Sequence, residues 1–221
     1  MTAGSTTKNT ANDVTTLVID DPGTGRRLDA DQRDRLGAAL KSAARESAPV
    51  VVLHVEGDAW AHRALDDDPA DQHTLVKRVY AGPHPVVVHV SGEVSELGLA
   101  LLLAADVRIL GPDATISFAA SAPQSLLAAG VSALVRHRGL SAAEDLLWTG
   151  EALDAAQATA RGLSTEVAVV DRALDLAAAL TRTPHATSAL HRSLRAEGSA
   201  ELAERLEYDA WSAVVAAKDA R

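Results

Sequence analysis

Two Val-rich runs, each closed by a glycine, begin 36 residues apart in the chain: PVVVLHVEG at 49–57 and PVVVHVSG at 85–92. An unbroken apolar run of this length is typical of a strand that is buried on both faces of a mainly parallel sheet. Between them, DQHTLVKRVYA at 71–81 has the apolar spacing of a helix and would supply the crossover. The hydrophobic pattern therefore predicts a repeated βα unit and an α/β fold class.

The rest of the chain continues this alternation. VTTLVID at 14–20 predicts a strand, and residues 29–44 predict an amphipathic helix with Leu28, Leu36 and Leu40 facing inward. Further strands are predicted for VRILG at 107–111, ATISF at 114–118 and LSTEVAV at 163–169. Further helices are predicted near 124–137, from 141 to 149, over 153–162 and throughout the chain from Asp171.

Local signals mark some of these boundaries. Ser141 is the expected N-cap of its helix, with Glu144 in the capping-box position, and Gly162 is an expected C-cap. No stretch rich in Pro, Gly or Ser divides the chain before its helical end. We therefore predict three segments, which are a disordered tail over 1–13, an α/β core over 14–170 and a helical C-terminal region over 171–221.

Composition and charge exclude several classes of function. The 21 Lys and Arg residues against 30 Asp and Glu residues give a net charge of −9, which argues against nucleic-acid binding because phosphates need surplus cations. No cysteine is present, so disulfide and thiolate chemistry are excluded. The polar start MTAGSTTKNTAND has no apolar signal core, and no apolar run reaches the ~20 residues of a membrane span. We therefore expect a cytoplasmic protein without membrane partners.

The segment SGEVSELGLALLLAAD at 91–106 leads from a turn into an apolar helix, with Glu96 at its entrance. Two interpretations of Glu96 stay open. It can compensate the dipole of the helix, with Ser95 as N-cap, or it can serve as an acid in a ligand site.

Three motifs in the same order resemble the crotonase (enoyl-CoA hydratase/isomerase) superfamily. The most extensive is PVVVHVSGEVSELGLALLLAADVRILGPDATISF at 85–118, and the most specific is LLWTGEALDAAQATARGLSTEV at 146–167. VVVLHVEGDAWAHRAL at 50–65 resembles the strand and loop that precede them. The resemblance implies a crotonase-like spiral of repeated ββα units. It also implies a helical C-terminal trimerisation region, here without the last helix of the family.

The resemblance implies a particular chemical device. In this family two backbone N–H groups hold the thioester oxygen of an acyl-CoA and stabilise the enolate that forms from it. By position these donors would be the N–H groups of Ala64 and Leu97. Coenzyme A would be part of the substrate, so no separate cofactor is expected.

The sequence departs from the family at the groups that move protons. The positions of the two carboxylates used by hydratases are occupied by Ala100 and Ala120. Leu97 replaces a glycine, so its Cβ could crowd the site or redirect its N–H. Glu96 and His62 are the candidate substitutes for the missing acids, since a histidine titrates near neutral pH.

Other polar residues have a functional and an ordinary interpretation. Arg63 beside the first donor, and Arg26 and Arg27 after the turn DPGTG, could pair with CoA phosphates or simply face water. His54 and His89 occupy equivalent places in the two Val-rich runs and are expected to be buried, neutral and hydrogen-bonded. No metal site is expected at residues 66–68, because three consecutive aspartates point in different directions.

The resemblance predicts an acyl-CoA protein that promotes dehydration or aromatisation of a polyketide thioester through its oxyanion hole. Short length, absent acids and a composition rich in Ala, Arg, Asp and Val resemble small hydratase-like accessory proteins of antibiotic-precursor biosynthesis. These work beside a type III polyketide synthase in making 3,5-dihydroxyphenylacetyl-CoA. The alternative is a catalytically inactive scaffold that binds the synthase or an active homologue. The family also implies homotrimers, or trimers paired into hexamers.

Overall fold

The structure is a computed structural model in which residues 6–11, 14–19, 30–46, 48–58, 60, 69–117 and 130–196 are described. The strands are β1 Thr6–Ala11, β2 Val14–Ile19, β3 Val50–Val55, β4 Val86–Val90, β5 Glu93–Ser95, β6 Val107–Leu110, β7 Thr115–Ser117, β8 Ala152–Asp154 and β9 Glu166–Val167. The helices are α1 Ala30–Arg45, α2 Pro69–Tyr80, α3 Glu96–Ala104, α4 Gly130–Arg138, α5 Leu140–Thr149, α6 Ala155–Ala160, α7 Val170–Thr181 and α8 Pro184–Ala196.

The larger of two sheets has six strands in the order β1-β2-β3-β4-β6-β9. Only the β1–β2 pair is antiparallel, and the other neighbours are parallel. The two Val-rich runs lie side by side as β3 and β4, with Val52 opposite Val87 and His54 opposite His89. This confirms the predicted repeat, with α2 as its crossover.

The smaller sheet has three strands in the order β5-β7-β8. Strand β5 pairs with β7 in parallel, and β7 pairs with β8 in antiparallel fashion. Because β5 follows the turn after β4 and runs directly into α3, this sheet fixes where the buried helix begins.

Hydrophobic side chains pack on both faces of the larger sheet. On one face, α1, α2 and α3 cover residues such as Leu53 and Val88 in the main core. On the other face, Ala173 and Ala177 of α7 pack against Val52, Val87 and Ile109. Helix α7 begins at Val170, where the sequence predicts the boundary between the core and the helical C-terminal region. This helix packs on the core sheet.

The predicted disordered tail is wrong for residues 6–11. These residues form β1, whose six positions pair in register with β2. The segment TTKNTA is polar and gives no hydrophobic signal, and its backbone pairing with β2 is not visible in the sequence pattern.

Two predicted caps have different outcomes. Ser141 lies inside α5, whose N-cap is Gly139, and no side chain caps this helix, so the predicted capping box is wrong. Gly162 follows the C-cap Arg161 of α6 and has a φ of 68°, which suits the residue after a helix end. The capping box that does form joins Asp154 to Gln157 at the start of α6.

Helix and strand placement elsewhere follows the hydrophobic pattern. The helix expected near 124–137 is described from Gly130, and its earlier part lies outside the described residues, as do 197–221 of the helical C-terminal region. In the part of the chain that the structure covers, no helix has the length and apolar character that a bilayer crossing requires.

Candidate active site

Trp60 holds the chain after β3 against the start of α3. It forms a parallel bridge with Val94, and its carbonyl oxygen accepts a 3.2 Å hydrogen bond from the N–H of Ser95. Gly98 permits this approach, because a Cβ there would overlap the Trp60 carbonyl oxygen and lie 2.7 Å from the Trp60 Cβ. Trp60 is therefore fixed at the first turn of α3. Neither Trp60 nor Gly98 was predicted as a site residue, although a lone aromatic before a polar stretch was an available signal.

The turns after β3 and β4 are joined to each other. Gly57 and Gly92 have φ angles of 55° and 77°, and a Cβ on Gly92 would overlap the Gly57 carbonyl. The Asp58 carboxylate accepts a 2.7 Å hydrogen bond from the N–H of Glu93, and the Ser91 hydroxyl lies 3.3 Å from the N–H of Gly57. These contacts tie two consecutive βα connections into one rigid edge beside α3.

Glu96 begins α3 in an unusual backbone conformation. Its φ is 49°, the only positive value at a non-glycine residue in the described ranges, and the residue is 5% exposed. Side-chain-bearing residues rarely adopt this left-handed region, so the tertiary structure must hold it in place. Ser95 occupies the N-cap as expected, but its side chain makes no capping hydrogen bond. The carboxylate at the positive end of the helix dipole is therefore that of Glu96.

All nine residues of α3 are buried, and Leu97 belongs to the main core. The first four N–H groups of an α-helix have no carbonyl partner within the helix. The N–H of Leu97 is one of these groups, so it donates no hydrogen bond to a carbonyl within α3. The Leu97 side chain is fully buried and adds to the core at this point.

Ala100, predicted to stand where hydratases have a carboxylate, is part of the core. Ala100 is fully buried in the main core, one turn into the helix. Among the described residues of this helix, Glu96 is the sole ionisable group. The remaining predicted site residues lie outside the described residues, namely Arg26, Arg27, His62, Arg63, Ala64 and Ala120.

His54 and His89 form a cross-strand pair on the face opposite α3. Their Nδ1 atoms are 3.1 Å apart, while His54 Nε2 lies 3.0 Å from the Glu56 carboxylate and His89 Nε2 lies 3.1 Å from the Ala168 carbonyl oxygen. Both outer partners accept, so each Nε2 donates. Burial, followed by the charge of His54, lowers the pKa of His89.

The predicted hydrogen bonding of this pair is confirmed. His89 is buried as expected, whereas His54 is half-buried. The lowered pKa of His89 favours its neutral form. Across the described ranges, no three His, Asp or Glu side chains are grouped so that they could hold a metal ion.

Comparisons with known proteins agree with this architecture. The Enoyl-CoA hydratase/isomerase family model matches residues 9–217. "Probable enoyl-CoA hydratase echA17" of Mycobacterium avium is 31% identical over 212 residues, covering 86% of this chain and 81% of the relative. "Probable enoyl-CoA hydratase EchA17" of Mycobacterium tuberculosis is 30% identical over 196 residues, covering 78% and 73%.

Solved structures give the same fold. An enoyl-CoA hydratase/isomerase from Pseudoalteromonas atlantica superposes with a TM-score of 0.83 at 23% identity, covering 98% of this chain and 92% of that chain. An enoyl-CoA hydratase from Bacillus halodurans gives 0.82 at 18% identity, covering 96% and 94%. At this identity the superpositions confirm the crotonase-like fold alone. The family model over residues 9–217 and the relatives at 30% and 31% identity establish that the chain belongs to the enoyl-CoA hydratase/isomerase family.

Proposed function

We propose that the protein binds an acyl-CoA thioester and stabilises its enolate with the N–H groups of Leu97 and Ala64. The observation that carries this proposal is the contact of Trp60 with the first turn of α3. Trp60 contacts the helix end that bears Leu97 and precedes Ala64 by four residues in the sequence. Two amides aimed at one thioester oxygen, together with the positive end of a helix dipole, would favour the developing negative charge.

The substrate class follows from the missing carboxylates. A thioester whose α-hydrogens are already acidified by a β-keto group needs less help from a general base. Ring closure onto the β-keto carbon of such a polyketide thioester leaves a β-hydroxyl. The α-proton then passes to a base and the electron pair moves to the thioester oxygen. When this pair returns to form the α,β double bond, the hydroxyl takes up the same proton and leaves as water. Glu96 or His62 would accept and return the proton. Arg26, Arg27 and Arg63 would pair with the CoA phosphates.

The biological setting that fits such chemistry is dehydration and aromatisation beside a type III polyketide synthase. The product class would be an aromatic acyl-CoA such as 3,5-dihydroxyphenylacetyl-CoA, a precursor in antibiotic biosynthesis. Support comes from Ala100, which leaves α3 without the family's acid for hydration.

A second candidate is a scaffold without catalysis. The same Ala100 supports it, because a buried alanine packed into the core contributes no proton transfer. In this case the fold would serve to bind the synthase or an active homologue.

The enolate can be measured directly with acetoacetyl-CoA, a β-keto thioester whose enolate absorbs in the ultraviolet. We expect the protein to raise the enolate fraction, and Ala64→Pro to reduce this effect at least ~10-fold because it deletes one amide donor. Ala64→Gly keeps the N–H and is the matched control, with an effect close to that of the unchanged protein. No enolate enhancement, or equal enhancement in both variants, overturns the oxyanion-hole proposal.

Chemistry and scaffolding can be separated with Glu96→Gln and His62→Ala. Each is assayed for its effect on the rate of the synthase and for complex formation by gel filtration. Loss of rate with an intact complex indicates proton transfer by the substituted residue. An unchanged rate in both variants, together with an intact complex, indicates a scaffold.

A further inference from the structure

A groove of about 320 Å³ lies between α1 and α2, at the edge of the sheet where the parallel strands begin. Its lining includes Leu40 and Lys41 of α1, Lys77 and Arg78 of α2, and Pro83 and His84 just before β4. The candidate active site lies beyond the other end of β4. At about 3.3 Å per residue, the five residues of that strand separate the two by roughly 16 Å.

The charge of the groove is opposite to that of the whole protein. Lys41, Lys77 and Arg78 all line it, and no carboxylate is among its lining residues, although the chain carries a net charge of −9. Lys77 and Arg78 lie in the last turn of α2, where cations also compensate the helix dipole. Lys41 precedes the last turn of α1, so the dipole does not account for it.

His84 supplies a buried polar group at the same groove. It is 3% exposed, and neither ring nitrogen has a hydrogen-bond partner in the structure. Gly82 also lines the groove, and a Cβ there would lie 3.7 Å from Nε2 of His84. His84 is itself one of the residues that line the groove, and both of its ring nitrogens are buried at the groove wall. A buried polar atom without a partner is costly, and a ligand atom would satisfy it.

The protonation state of His84 decides what it can offer. Burial, followed by the charge of His191 on α8, lowers its pKa to about 4, while Asp106 after α3 acts in the opposite direction. At neutral pH the ring is therefore uncharged and carries one N–H and one lone pair. It can donate one hydrogen bond to an anionic oxygen, and the three cations around the groove supply the charge.

We propose that this groove is a second ligand site, which binds a small organic carboxylate with an apolar body. The carboxylate lies among Lys41, Lys77 and Arg78 and accepts a hydrogen bond from His84. The apolar part lies on Leu40 and Pro83. A volume of about 320 Å³ suits a ligand of this size, since small-molecule pockets begin at roughly 300 Å³. This site is separate from the proposed thioester site and does not depend on it.

Octanoate is a suitable probe, with inorganic phosphate and 1-octanol as comparators that lack the apolar body or the charge. We expect calorimetry to detect octanoate binding, and each comparator to bind at least ~10-fold more weakly. Nitrogen NMR of the histidine rings should show the His84 signals shifting during the octanoate titration. Equal binding of phosphate and octanoate, or no octanoate binding at ~10 mM, overturns the proposal.

Lys77→Glu tests the location, because it reverses one charge of the groove without altering its buried floor. We expect it to weaken octanoate binding at least ~10-fold. Arg182→Glu is the matched control, since it makes the same charge change at an exposed position after α7 and should alter binding less than ~2-fold. Equal effects of the two variants would show that octanoate responds to net charge and not to this groove.

Discussion

At the scale of single residues, two positions hold conformations or burial that ordinary propensity disfavours. Glu96 adopts a φ of 49° while buried, and His84 is buried with no hydrogen-bond partner. Each costs free energy of folding, on the order of 1–3 kcal/mol. Unfavourable conformations of this kind persist where the surrounding packing imposes them, and they are frequent at sites that bind ligands. Glu96 begins the candidate active site, and His84 lines the second groove.

His84 makes the folded protein sensitive to acid. Its pKa of about 4 in the folded state is below the ordinary value of 6.5. Between these pH values the unfolded chain binds a proton that the folded chain does not, so stability falls as the pH falls from 6.5 to 4. The charged groups that act on the ring are those of His191 and Asp106. The expected loss is about 3 kcal/mol, from 1.36 kcal/mol per pKa unit.

Urea unfolding between pH 4 and pH 7 measures this loss. His84→Gln should flatten the pH dependence by about the same amount, because glutamine does not titrate. His185→Gln, at an exposed position on α8, is the matched control and should flatten it much less. An unchanged pH dependence in His84→Gln would contradict the assignment.

At the scale of elements, the contact between Trp60 and α3 positions the candidate active site. Gly98→Ala places a Cβ against the Trp60 backbone, which cannot move aside as a flexible side-chain end can. Such overpacking costs about 3 kcal/mol of unfolding free energy. We also expect the variant to lose enolate stabilisation, because the loop that continues towards Ala64 would be displaced.

Gly37→Ala is the matched control for this prediction. Gly37 is a buried glycine inside α1, and the near neighbour of an added Cβ is the end of the Arg78 side chain, at 2.5 Å. Since alanine favours a helix over glycine by about 1 kcal/mol, this variant should be neutral or slightly more stable. Chemical denaturation measures the free energy of unfolding of Gly98→Ala and Gly37→Ala. Equal destabilisation of the two variants would refute the role given to the Trp60 contact.

At the scale of the whole molecule, exposed apolar side chains on α8 indicate an interface. Leu190 and Leu194 are 61% and 63% exposed and lie one helical turn apart, on the same face. A soluble protein rarely leaves such a pair uncovered on an amphipathic helix. We predict that the chain forms trimers through this helical region, as the family resemblance implies.

Sedimentation should therefore give three times the chain mass of 23.0 kDa, or twice that for a hexamer. Leu190→Glu with Leu194→Glu should dissociate the assembly, because each change buries a charge at the interface. Leu140→Glu with Trp148→Glu, at exposed apolar positions of α5, is the matched control. An interface on α8 would be refuted if the protein without substitutions is a monomer. It would also be refuted if the substitutions on α5 dissociate the assembly and those on α8 do not.

Much of the architecture could be predicted because it depends on local hydrophobic pattern. The Val-rich runs became neighbouring central strands, and the apolar segment after Gly92 became the buried helix α3. Strand β1 and the N-cap of α5 were predicted wrongly, because polar sequences have several possible hydrogen-bond partners and only pairing across the fold selects one.

The features of the candidate site also separate into those predictable from local sequence and those that depend on the fold. Residue types and spacings within single elements were enough to predict the parallel α/β core and the buried helix with Glu96 and Leu97 at its start. They also show that Ala100 carries no ionisable group. The left-handed backbone of Glu96, the Trp60 contact and the cationic groove around His84 became visible only in the folded chain. Each of these depends on chain segments that lie apart in sequence and meet only when the sheet and helices pack.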